Sequence, residues 1–280
     1  MNPTLGLAFN QQAGGALPEP LRQRLAAPFA LVTGGKGGVG KTSVAANLAV
    51  ALGRRGRRVL LCDFDFALSN LHLSFGLEPE RTLEDFFAGR CSLAQCLLES
   101  DGIALLPAAS GAAELARPDS ARRAGLWRGL REVSARFDLV LADSAAGIGP
   151  DVLAFAAVAD YVLLVTQPDP AAMADAYGLL KGLSQFAAER RLEVPTPELL
   201  VNAAASPQAA QAVAERLASV AQRFLSRSPR MAGWLPRSRE LHTSALAQRP
   251  LLAQPSECLA AGALERLAQH LERVTLGPEA

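Results

Sequence analysis

Two lysines five positions apart, in the stretch LVTGGKGGVGKTS (residues 31–43), carry the first chemical signal in this 280-residue chain. Gly35, Lys36, Gly37, Gly38, Val39, Gly40, Lys41 and Thr42 fit the pattern G-x-x-x-x-G-K-[ST], with an apolar run before it and a helical pattern after it. Glycines at these positions admit positive φ and let consecutive backbone N–H groups converge on phosphate oxygens. The start of the following helix adds a partial positive charge aimed at the same anion. In such a loop Lys41 reaches the β- and γ-phosphates and the Thr42 hydroxyl ligates Mg²⁺, with Ser43 completing the nucleotide-binding run. Lys36 is not needed for this chemistry. Its backbone is committed to the loop rim, so its side chain is expected to point away from the phosphates below, within reach of those on a second molecule docked face to face.

Two further stretches supply carboxylates. VLLCDFDFALSN places Asp63 and Asp65 at the carboxyl end of an apolar run, where open α/β sheets bind ligands. FDLVLADSAAG ends a second run on Asp143, and a carboxylate at a strand tip can hold Mg²⁺ through water.

These residues need a scaffold that delivers strand ends to one place. The runs FALVT, RVLLCDF, IALLP, FDLVLAD, DYVLLVT, PELLVNA and MAGWLP are short and mostly without polar alternation, as in strands buried on both faces of a parallel sheet. Helical patterns fall between them at 42–54, 120–136, 151–158, 170–190, 207–226 and 257–274. Strand alternating with helix predicts right-handed crossovers and a doubly wound, mostly parallel sheet with helices on both faces. Residues 1–27, rich in Gly, Pro and Gln, read as a flexible N-terminal arm, and residues 28–280 as one domain.

Twenty-eight basic residues against 27 acidic ones leave a net charge of +1, which argues against a protein that coats nucleic acid. No uncharged apolar run is long enough for a membrane span, and the N-terminus lacks a secretory signal, so a cytoplasmic location is expected. Cys62, Cys91, Cys96 and Cys258 form no C-x-x-C pair and read as reduced thiols, Cys62 as a core residue and Cys91 and Cys96, five apart, as able to share one side of a helix. The basic turn GRRGRR (residues 53–58) reads as a solvated helix end, with contact to nucleic acid or anionic lipid as the alternative. In the helical pattern at the C-terminus, Leu264, Leu267, Ala268, Leu271 and Val274 share one face. Balanced charges around that stripe favour packing on the sheet over docking on a membrane.

The order K-G-G-x-G-K-[ST] resembles the deviant Walker A ATPases, the MinD/ParA family, and the resemblance runs from Phe29 to about Leu271. It implies a P-loop NTPase fold, ATP and Mg²⁺ as ligands, and a homodimer formed with ATP and reset by hydrolysis. Lys36, Lys41, Asp65 and Asp143 then carry catalysis, Lys36 by contacting the partner's nucleotide and Asp65 by orienting the attacking water. Asp63 and Asn70 match the first switch and are expected at the dimer interface, Asp63 also supporting the strand end or the metal's outer shell, and His72 replaces a frequent second acid. Asp143 matches the Walker B acid, holding Mg²⁺ through water. Ala145 replaces the proline of D-x-P-A-G, and Gly147 keeps the backbone N–H that approaches the γ-phosphate. Asn202 and Pro236 match the adenine contacts.

The run from Pro168, Asp169 and Pro170 through Asp175, Ala176, Tyr177 and Lys181 is similar to that of the flagellar-number regulators FlhG and FleN, a branch of this family. Their partners are the flagellar GTPase FlhF and a flagellar transcription activator, with peripheral contact at the inner membrane or cell pole. Their GTPase-stimulating motif D-Q-A-x-x-L-R survives here only as Gln12-Ala13. A partition ATPase that binds DNA, a cell-division positioning ATPase, and a nucleotide-binding scaffold without turnover remain alternatives. Direct DNA binding is disfavoured by the near-neutral charge.

Overall fold

Strand formation follows from the apolar runs themselves. In the computed structural model, which describes residues 23–100, 102–108 and 119–277, every residue of β1 (Phe29–Thr33), β2 (Val59–Phe64), β5 (Leu139–Ser144) and β6 (Tyr161–Thr166) is buried. With β3 (Leu98–Ser100), β4 (Ile103–Leu106), β7 (Glu198–Ala204) and β8 (Met231–Pro236) they form one sheet of order β3-β4-β2-β5-β1-β6-β7-β8. All neighbours are parallel except β3, which pairs antiparallel with β4. The expected doubly wound sheet is therefore present, with β1 at its centre.

Alternate residues of β1 serve the two faces. Ala30 and Val32 pack with Val44 and Leu48 of α1 (Lys41–Arg54) and Leu264 and Leu267 of α8 (Leu259–Leu276). Phe29 and Leu31 face Trp127 of α3 (Ser120–Ser134), Phe155 of α4 (Pro150–Val158) and Leu183 of α5 (Pro170–Arg190). Phe29 meets Trp127 edge-on at 5.5 Å, and Phe64 lies 4.4 Å from Phe155. Farther along that face, α5 and α6 (Pro207–Leu225) cover β6 and β7. Both helices start on a capping side chain followed by proline: Asp169 accepts from Ala172 N–H and Ser206 from Ala209 N–H. Proline at the first helical position lacks only an N–H that has no intrahelical partner there.

Three elements are absent from the sequence reading: β3, α2 (Leu83–Phe87) and α7 (Arg239–Leu246). The first two are too short to show a period, and α7 buries only Ser244. Residues 1–22 of the expected arm, with the Gln12-Ala13 motif, lie outside the described residues. Closer to the domain, Leu25 and Ala27 are buried, Trp127 Nε1 donates to the Gln23 carbonyl at 2.8 Å, and Ala26 N–H donates to Ser134 Oγ at 3.1 Å. Packing thus begins before residue 28.

The basic turn is exposed at Arg54, Arg55 and Arg58, as expected of a solvated helix end, but its arginines are also engaged within the protein. Arg55 and Arg57 both bind Glu272 of α8, a residue 7% exposed, Arg54 donates to the Leu252 carbonyl at 2.6 Å, and Arg58 pairs with Asp138. On the same helix Leu264, Leu267, Ala268 and Leu271 are buried, as expected for packing on the sheet, while Val274 stays exposed. Burial alone would raise the Glu272 carboxyl, but the hydrogen bonds from Arg57 and Arg55 outweigh it and hold the group below its usual value. The clamp is therefore complete above about pH 4.5 and is lost as pH falls through the depressed folded-state value. Glu272→Ala is expected to remove about 1–3 kcal/mol from urea-unfolding stability at pH 7, and progressively less as pH falls below about 4.5.

Candidate functional site

The carboxyl ends of β1, β2 and β5 meet at the point where the chain reverses its winding direction, and the phosphate-type loop springs from the first of them. Gly38 and Gly40 hold φ of +79° and +98°, a region that side-chain-bearing residues rarely enter. Gly35 is needed for a different reason. A Cβ there would lie 2.1 Å from the carbonyl oxygen of Asp175, so the loop rests directly on the backbone of α5. Lys41 begins α1 and is 7% exposed. Lys36 stands on the rim, half-exposed, with Nζ 3.8 Å from Asp169 Oδ1, and Gln167 Nε2 donates to the Gly38 carbonyl at 3.3 Å. Gln167, Asp169 and Asp175 were not among the predicted site residues. The Asp-Pro helix start was legible, but its placement against the loop depends on tertiary packing.

Parallel pairing sets Asp63 of β2 opposite Asp143 of β5, and Asp143 in turn opposite Val32 of β1. Thr42 Oγ1 donates to Asp143 Oδ2 at 2.5 Å, while Asp143 Oδ1 is buried with no hydrogen-bond partner. Burial, with the Asp63 charge beside it, pushes the Asp143 carboxyl up to about 8, although the Thr42 hydroxyl and Lys41 oppose the rise. A sequestered carboxyl with an unused oxygen beside a hydroxyl offers oxygen ligands to a hard divalent cation, whose charge would favour the carboxylate form. Thr42 and Asp143 therefore fit the Mg²⁺ roles expected of them.

Asp63 works from beneath the surface. It is fully buried and accepts from Asp65 N–H at 2.9 Å, Ser69 Oγ at 2.8 Å and Leu71 N–H at 3.1 Å, and burial raises its carboxyl to about 6. It anchors the loop 65–71 and presents no surface to an interface, which corrects its expected interfacial placement. Asp65 is partly exposed and caps Leu68 N–H, and Asn70 is exposed on the same loop. His72 is 8% exposed, its Nδ1 has no hydrogen-bond partner, and burial lowers its pKa.

Two expected ligand contacts are engaged within the protein. Gly147, at φ +95°, donates its N–H to the Gly34 carbonyl at 3.1 Å, tying the loop after β5 to the phosphate-type loop. Asn202 donates from Nδ2 to the Val39 carbonyl at 2.7 Å and accepts from Ala203 N–H at 2.8 Å. Ala203 holds φ +55° at an irregularity in the β7–β8 pairing, which resumes at Ala204 with Pro236. Asn202 thus braces the loop, and Pro236 sits at the neighbouring strand end.

With this geometry in view, a family model described as the CobQ/CobB/MinD/ParA nucleotide binding domain matches residues 30–251. The chain belongs to this MinD/ParA nucleotide-binding family. The antiactivator FleN of Pseudomonas aeruginosa is 38% identical over 242 residues, which cover 86% of this chain and 85% of FleN. The flagellum site-determining protein YlxH of Helicobacter pylori is 34% identical over 195 residues, 69% of this chain and 64% of that protein. The crystal structure of the cell division ATPase MinD from Pyrococcus furiosus matches with a TM-score of 0.69 at 25% identity, covering 89% of this chain and 99% of that one. Among the described residues no helix is long and apolar enough to cross a membrane.

Proposed function

We propose that this chain is a Mg²⁺-dependent ATPase that closes into a homodimer with ATP, reopens after hydrolysis to ADP, and regulates the number or placement of flagella. The observation that carries the flagellar reading is the 38% identity to FleN, sustained over most of both chains. The chemical reading rests on Thr42, Lys41 and the unpaired oxygen of Asp143 at one strand end. Bound Mg²⁺ would withdraw charge from the phosphate oxygens. Lys41 neutralises the γ-phosphate, Asp65 orients the attacking water, and Lys36 leaves Asp169 to meet the partner's nucleotide. The relevant partners are a second copy, the flagellar GTPase FlhF and a flagellar transcription activator, the last supported by the name antiactivator that FleN bears.

Gel filtration with multi-angle light scattering tests the switch. Wild type is expected at dimer mass with Mg²⁺ and a non-hydrolysable ATP analogue, and at monomer mass with ADP. Lys36→Ala is expected to stay monomeric in both, whereas Asp65→Ala dimerises but releases phosphate about 100-fold more slowly. Dimerisation of Lys36→Ala at wild-type analogue concentrations would remove the cross-subunit role. A DNA mobility shift that needs ATP and weakens steeply with salt would favour a partition ATPase instead.

A further inference from the structure

Cys91 and Cys96 lie away from the nucleotide site, and the function proposed above uses neither. A regular α-helix would turn residues five apart well away from each other. Here Cys91 instead precedes Ser92, the N-cap of a 3₁₀ turn over Leu93–Cys96. Gln95 Oε1 accepts from the Ser92 N–H at 2.9 Å and hydroxyl at 3.1 Å, closing the turn. The closed turn brings the two sulfurs to 3.4 Å. That separation is van der Waals contact between free thiols, and a disulfide requires about 2.0 Å. The two thiols differ in setting. Cys96 is 1% exposed and its S–H donates to the Thr82 carbonyl at 3.2 Å, whereas Cys91 is partly exposed. Burial, reinforced by the contact with Cys91, pushes the Cys96 thiol up to about 12, so it stays protonated while reagents from solvent meet Cys91 first.

We propose that Cys91 and Cys96 form a redox dithiol, with Cys91 the entry thiol and Cys96 the resolving one, oxidised by low-molecular-weight disulfides. The Cys91 thiolate attacks one sulfur of a small disulfide such as glutathione disulfide, releasing one thiol and leaving a mixed disulfide on the protein. Cys96 then displaces the second small thiol from Cys91, and its proton passes to that leaving thiolate. Two protein S–H groups are oxidised to one S–S bond while one external disulfide is reduced to two thiols. The link closes the turn that joins α2 to the edge strand β3. The remaining cysteines lie elsewhere, Cys62 sealed within β2 and Cys258 capping α8.

The test uses the folded full chain with excess glutathione disulfide, followed by alkylation, trypsin digestion and mass spectrometry. The peptide spanning residues 91–122 carries both cysteines and no others. It is expected two hydrogen masses lighter and free of glutathione, and dithiothreitol is expected to reverse the change. Cys96→Ser should trap glutathione on Cys91, and Cys91→Ser should leave Cys96 unmodified over the same exposure. A stable glutathione adduct on Cys91 in wild type overturns the proposal, as does recovery of both residues as free thiols.

Discussion

Asp143→Asn is expected to stabilise the nucleotide-free protein at pH 8 while removing most of the metal-dependent phosphate release proposed for it. Folding raises this carboxyl from 3.8 to about 8, mainly through burial. The folded state therefore binds the proton more tightly than the unfolded state does. Its contribution to stability is fully present below about pH 4, declines as pH rises toward about 8, and is level above that. Asp63, raised to about 6, adds a loss of the same sign over the lower part of that window. By pH 8, where about half of the folded molecules carry the buried charge that Lys41 and Thr42 only partly offset, the stability lost is on the order of a few kcal/mol. Asparagine removes the charge and keeps an oxygen for the Thr42 hydroxyl. Thermal melting without nucleotide should show wild type losing stability between about pH 4 and 8, and the variant only the smaller loss below about pH 6 that Asp63 retains. Added Mg²⁺ and ADP should raise the wild-type midpoint more than the variant's, and phosphate release should fall about 100-fold. A variant less stable than wild type at pH 8 would mean that Lys41 fully satisfies the carboxylate, and the account of a strained metal-free site would fail. Stability sacrificed at a functional site in this way is common.

The nucleotide loop, the strand ends at Asp63 and Asp143 and the doubly wound sheet were legible because each is written locally. Glycine spacing dictates backbone freedom, and uninterrupted apolar runs dictate strands buried on both faces. What the sequence left unread concerns partners far apart along the chain. GRRGRR reads as solvated until α8 brings Glu272 to it, a pairing across more than two hundred residues. Asn202 reads as a strand-end amide until the bend at Ala203 turns it onto the Val39 carbonyl. Gly147 reads as a phosphate contact, yet its N–H is bonded to Gly34. The cysteine spacing suggested one shared side of a helix, but the two sulfurs meet across a 3₁₀ turn held by the local bonds of Ser92 and Gln95 and not by helical period.

The glycines of the loop should separate by physical cause when each is changed to alanine. Gly35→Ala is expected to be the most damaging, because its Cβ would lie 2.1 Å and 2.3 Å from the carbonyl oxygen and carbon of Asp175, both backbone atoms. Neither can rotate away, so the loop and α5 must separate, at about 2–3 kcal/mol of overpacking. At this chain length that corresponds to a fall of about 5 °C or more in the melting midpoint. Gly40→Ala meets a softer neighbour, the Asn202 amide at 2.4 Å, but also carries φ +98° and displaces the bond to Val39. Gly38→Ala meets nothing within 4 Å and is left with the strain of φ +79°, roughly 1–2 kcal/mol. Gly37→Ala has neither constraint and should melt within about 0.5 kcal/mol of wild type when no nucleotide is present. Nucleotide affinity should fall at least 10-fold for Gly35→Ala, since α5 and the loop also share the Lys36–Asp169 contact and the Gln167 bond to Gly38. If Gly35→Ala melts with Gly37→Ala, the loop does not rest on α5. The long helix then has no direct mechanical link to the nucleotide.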